Sequence, residues 1–65
     1  MMSQKDYRRI AEGTKNIYNR LRAIHELKSA AAVEVHAREL AKYFKENNPR
    51  FDREKFLEAC GFSGD

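Results

Sequence analysis

Arg8, Lys15 and Arg22 stand seven residues apart. On a helix that spacing places them along one edge, where a row of cations can follow phosphates or an acidic protein surface. Lys5, Arg9 and Arg20 lie nearby in the chain, and the six form a candidate contact set for a nucleic acid or an acidic partner. The competing reading is a solvated helix flank. A net charge of +3 is modest for a nucleic-acid-binding domain, which usually concentrates more positive charge. The charge is uneven, however. Through Lys28 seven basic residues stand against three acidic ones, and from Ser29 onward six stand against seven, so the positive potential belongs to the first half.

The other reactive side chains suggest less chemistry. His25 and His36 make an incomplete metal site without a third protein ligand, so no metal is expected and a polar pair is the default. Cys60 needs a neighbouring base to act as a nucleophile, and no histidine lies near it in sequence. Its place between Ala59 and Gly61 suits a small buried hydrophobe. Tyr7 and Tyr18 could stack on unpaired bases, but both fall on the apolar stripe of their helix, which favours packing. Tyr43 sits beside its stripe and is the candidate aromatic anchor for a protein partner. With no glycine-rich phosphate loop and little chain for a pocket of enzyme size, neither catalytic residues nor cofactors are expected. The chain reads as non-enzymatic.

The elements that would position these residues are helical. Ser3 and Asp6 resemble a capping box opening a first helix at about Gln4. Tyr7, Ile10, Ala11, Thr14, Ile17, Tyr18, Leu21 and Ile24 recur at helical spacing as its apolar face. Gly13 weakens that helix by about 1 kcal/mol without having to break it. Val33, Ala37, Leu40, Ala41 and Phe44 form a second stripe, closed by Asn47, Asn48 and Pro49. Leu21 and Val33 are twelve residues apart, which puts the second stripe about 120° round from the first on a continuous helix. A turn near Leu27 to Ala30, with Ser29 as N-cap, lets both stripes face one core.

Folding back about that turn pairs residues whose numbers sum to about 61. Leu21 then meets Leu40, Ile24 meets Ala37, Phe44 meets Ile17 or Tyr18, and His25 comes close to His36. In the last segment Asp52 reads as N-cap, with Phe51 and Phe56 as a hydrophobic staple. Gly61 and Phe62 read as a Schellman closure. The short helix between them is expected to cover the open end of the hairpin near Tyr7, Ile10 and Ala11. The expected fold is all-α: an antiparallel helical hairpin plus a short C-terminal helix, in a single domain 1–65 with helices at approximately 4–27, 30–47 and 53–60.

A chain of 65 residues has a thin core, and its single cysteine cannot close an internal disulfide. Small scaffolds without disulfide or metal commonly oligomerise, so a homodimer is expected. No apolar run approaches the roughly 18 residues of a membrane span, and the N-terminal residues carry no signal-peptide pattern. These features and the lone thiol predict a cytoplasmic protein with no membrane association.

The segment Asn48-Pro49-Arg50-Phe51-Asp52-Arg53-Glu54-Lys55-Phe56-Leu57-Glu58-Ala59-Cys60-Gly61-Phe62 resembles small hypothetical proteins of bacteriophages and prophages. Those proteins also tend to begin with a stretch similar to Lys5-Asp6-Tyr7-Arg8-Arg9-Ile10-Ala11-Glu12, and carry a helix like His36 to Phe44. The resemblance brings no functional residues with it. It implies origin in a mobile element, where short chains often bind nucleic acid or block a host protein. The preferred expectation is a protein-binding accessory or inhibitor acting on a host factor such as a regulator or defence component. The alternative is a DNA- or RNA-binding protein using the basic edge of the first helix.

Overall fold

A computed structural model describes residues 2–62; Met1 and residues 63–65, the ends of the expected domain, lie outside the described residues. Three helices follow one another: α1 Gln4–Ala23, α2 Leu27–Asn47 and α3 Arg53–Ala59. The expected all-α class holds, and no strand occurs among the described residues. α1 and α2 form the hairpin, and α3 packs against both.

The helix ends follow local chemistry. The Ser3 hydroxyl accepts from the Asp6 amide at 3.3 Å, and the Asp6 carboxylate accepts from the Ser3 amide at 3.0 Å. Two amides that the first turn leaves without partners are thereby satisfied. Asp52 caps α3 by accepting from the Lys55 amide at 3.0 Å, and the Phe51 and Phe56 rings meet at 5.6 Å as its staple. Gly61 takes φ 91°. Its amide donates to the Glu58 carbonyl and that of Phe62 to the Leu57 carbonyl, at 2.9 and 2.8 Å, which completes the Schellman closure.

The turn between α1 and α2 lies earlier than the stripe phases suggest. α1 ends at Ala23 rather than near residue 27, and α2 starts at Leu27 rather than residue 30. His25 adopts φ 60°. Its amide donates to the Arg22 carbonyl at 3.1 Å and that of Glu26 to the Leu21 carbonyl at 2.8 Å, a second Schellman closure with histidine where glycine is usual. Glu26 is the N-cap of α2 and makes no side-chain capping bond; Ser29, expected as the cap, lies inside the helix.

This turn resets the register. Tyr7 packs on Phe44 with ring centroids 4.9 Å apart, so facing residues have numbers summing to about 51, not 61. The expected pairing of Phe44 with Ile17 or Tyr18 is therefore replaced by Tyr7, and Leu21 and Ile24 lie near the start of α2 rather than beside Leu40 and Ala37. His25 closes the turn, whereas His36 is nine residues into α2, about 13 Å along the helix. The two histidines do not pair.

The core is lopsided. Ala11, Ala37 and Ala41 are buried between α1 and α2, where their small side chains bring the helix axes close. Phe44, Phe51, Phe56, Cys60 and Phe62 complete the cluster, in edge and tilted ring contacts of 5.4 to 5.6 Å among the first three. Tyr7 lies on Phe51 at 4.6 Å and Tyr18 edge-on to Phe62 at 4.7 Å. α3 thus covers the open end of the hairpin at Tyr7 and Ala11, with Ile10 packed on the same cluster. Towards the turn Ala30 is the one buried residue among those described, and it lies outside that cluster. Ile17 and Ile24, expected in the core stripe, are 55% and 61% exposed.

Candidate binding surfaces

All six basic residues of the candidate contact set are exposed. The structure places Arg8, Lys15 and Arg22 on the flank of α1 that faces α3. Arg8 shares a cleft with the loop after α2 and with α3. The Lys15 Cγ lies 3.7 Å from where a Cβ on Gly61 would sit, and the Arg22 guanidinium stands 5.8 Å from the centre of the Tyr18 ring. Lys5 falls about 60° round from Arg8, whereas Arg9 is about 100° from Arg8 and Arg20 about 160° from Arg22. Four of the six therefore share a side, and Arg9 and Arg20 turn away from it.

The facing bank adds cations that spacing along α1 does not reveal. Between α1 and α3 lies a cleft of about 300 Å³ with Tyr7, Ala11 and Phe56 in its floor and Arg8, Arg50 and Lys55 on its rim. Asp52 also lines it, but one oxygen of its carboxylate is taken by the Lys55 amide. The loop is held in place locally. The Asn48 side chain accepts from the Arg50 amide at 3.1 Å, and Lys45 donates from Nζ to the carbonyls of Pro49 and Phe51 at 2.6 and 3.2 Å. Lys45 is thus used structurally. Among the described residues the one side-chain ion pair is Arg38 with Glu34 at 2.8 Å, so Arg8, Arg50 and Lys55 on the rim are not bonded to a carboxylate there.

The opposite side of the hairpin carries isoleucines on α1. Ile10, Ile17 and Ile24 form a line about 200° round α1 from the Arg8, Lys15 and Arg22 line. The register brings Ile10 level with Leu40 and Ile17 level with Val33. On α2, Tyr43 and His36 lie about 200° and 180° round from Lys45, which reaches towards the α3 side. Tyr43 is 59% exposed, so it stands on this open side, away from the cationic cleft.

Tyr7 and Tyr18 commit their rings to the interior. Cys60 is fully buried, and burial pushes its thiol from 9.0 up to about 11, which leaves little nucleophilic thiolate at neutral pH. No three His, Cys, Asp or Glu side chains gather as a metal-ligand group among the described residues, and no described helix is long and apolar enough to cross a membrane. No family model, curated protein or solved structure matches the chain. The surface itself is therefore the guide to function: a cationic side with an aromatic-floored cleft, and an isoleucine-bearing side that α3 leaves open.

Proposed function

We propose that this chain is a small, non-enzymatic protein-binding accessory or inhibitor that covers an acidic surface on a host factor, such as a regulator or defence component. The working face is the cationic side. The observation that carries this reading is the row Arg8, Lys15 and Arg22, exposed and free of ion pairs among the described residues, beside a cleft whose aromatic floor can take an apolar or aromatic side chain. Interfaces gain most from such a combination, in which a buried anchor supplies affinity and surrounding charges set orientation and association rate. The host context comes from the phage-like segments at both ends of the chain.

The test is capture from a host lysate by the immobilised full chain and by Arg8→Gln/Lys15→Gln/Arg22→Gln. Specific proteins held by the wild type and lost from the variant support the reading. No specific catch, or one indifferent to the variant, contradicts it.

The same row also supports nucleic-acid binding, since three cations at intervals of about 10 Å can neutralise backbone phosphates. Fluorescence anisotropy with labelled single- and double-stranded DNA and RNA at about 50 and 200 mM salt separates the two readings. Micromolar binding that weakens steeply with salt favours nucleic acid. Absence of binding at low salt leaves the protein partner.

A further inference from the structure

The cleft between α1 and α3 has banks and a floor of different chemistry. Arg8 stands on the α1 bank, Lys55 on the α3 bank and Arg50 on the loop that joins α2 to α3, so cations reach it from three elements. The floor is apolar, formed by Tyr7, Ala11 and Phe56, and Ala59 lines the α3 side. Its volume of about 300 Å³ lies at the lower end of the range for ligand sites, which suits one aromatic or large aliphatic side chain. Past Ala11 and Ala59 the Lys15 stem lies against Gly61, and the same flank of α1 continues to Arg22. Glu12 is the one acid on that flank, and it does not line the cleft.

We propose that the cleft binds a short extended segment of an acidic polypeptide, which inserts one aromatic or large aliphatic side chain onto the floor and sets carboxylates against Arg8, Arg50 and Lys55. This rests on the protein-partner reading above and narrows it from an acidic surface to a linear acidic segment. Width selects the extended form. A helix is about 10 to 12 Å across with its side chains, more than the about 8 to 10 Å between the axes of packed helices, and would ride on the rim. An extended chain needs about 5 Å and fits between the banks.

The polar groups of the cleft select a polypeptide. One Asp52 oxygen accepts from the Lys55 amide, and the other is left to accept a peptide N–H, for which a DNA backbone has no donor. Asn48, whose side-chain oxygen accepts from the Arg50 amide, keeps its NH2 group for a peptide carbonyl. Extent selects a chain over a small anion. Lys15 and Arg22 lie about 10 and 21 Å along α1 from Arg8, the reach of roughly three and six extended residues.

The chain has no tryptophan, so a peptide of about ten residues with one central tryptophan among aspartates and glutamates reports on its own ring. Titrated with the full chain at about 50 mM salt, its emission should shift to the blue and saturate, and about 200 mM salt should weaken the binding. Ala59→Phe fills the cleft without changing a charge and should remove the blue shift. Arg50→Glu/Lys55→Glu, outside the α1 row, should weaken binding about tenfold or more. All three positions are exposed, so circular dichroism should show unchanged helicity. A peptide with asparagine and glutamine in place of the acids should also bind about tenfold more weakly. The proposal is overturned by no saturable shift with the wild type, by a shift indifferent to Ala59→Phe, or by equal binding of the neutral peptide. Displacement of the peptide by an equimolar single-stranded DNA of the same length overturns it as well. Lysate capture with Ala59→Phe separates it from the reading it rests on. Proteins lost with Arg8→Gln/Lys15→Gln/Arg22→Gln but kept by Ala59→Phe would leave an acidic surface as the target and overturn the linear segment; loss with both variants is the expected result.

Discussion

The α3 end and the turn end of the hairpin are built from the same two helices, yet the aromatic cluster lies at only one of them. At the α3 end Tyr7, Phe44, Phe51 and Phe56 interlock, and the capping bonds of Ser3, Asp52 and Gly61 hold the backbone around them. At the turn end Ile17 and Ile24 are mostly exposed, Glu26 caps α2 without a side-chain bond, and His25 occupies a left-handed position. A short chain buries only about 60% of the surface its unfolded form exposes. Here that limited burial is concentrated at one end, and the other keeps Ile17, Ile24 and Leu27 largely in water.

The sharpest way to break the comparison is to remove one apolar side chain from each end. Phe44→Ala should cost about 3 to 5 kcal/mol, comparable with the whole net stability of so small a core. Ile24→Ala should cost under about 0.5 kcal/mol in dilute solution, because its side chain is already mostly in water. Urea unfolding followed by circular dichroism measures both, and equal losses would show that the two ends share one evenly distributed core.

Cys60 offers a change of intermediate size. Cys60→Ser puts a hydroxyl without a partner into the aromatic cluster and should cost about 1 to 3 kcal/mol. The thiol also predicts a pH dependence. Its folded-state pKa is raised by burial from 9.0 to about 11, so the unfolded chain loses the proton first as pH rises. The stability it contributes is fully present below pH 9.0 and disappears as pH approaches about 11. Stability against pH, compared with Cys60→Ala, isolates this loss from other titrations. Parallel profiles for the two proteins would place the thiol in contact with water.

The smallest change acts at the turn. His25→Gly removes the steric cost of the left-handed conformation and should stabilise the monomer by about 1 kcal/mol, raising its melting temperature. A destabilised variant would show that the His25 ring makes contacts worth more than that strain.

The same contrast governs what could be read from the sequence. α3 and the outer helix ends announce themselves through Ser3, Asp6, Asn47, Pro49, Asp52 and Gly61, whose preferences are local. The turn does not, because His25 does what glycine usually does and Glu26 lacks the side-chain bond that marks an N-cap. Ser29 is the better cap on local grounds, and a turn set by it would lie about three residues later and shift the whole register. Ile17 and Ile24 share the periodicity of the core stripe, but that stripe is wider than one facing helix can cover. For the binding surfaces, the seven-residue spacing of Arg8, Lys15 and Arg22 reveals their common edge. Their apposition to Arg50 and Lys55 depends on where α3 docks, which spacing along α1 cannot encode.

Amide hydrogen exchange on the wild-type chain tests most directly whether burial is concentrated at the α3 end of the hairpin. The account predicts strong protection around Phe44 and Phe56, whereas amides from Ile17 to Ala23 and from Leu27 to Val33 exchange markedly faster. Uniform protection along both helices would contradict it.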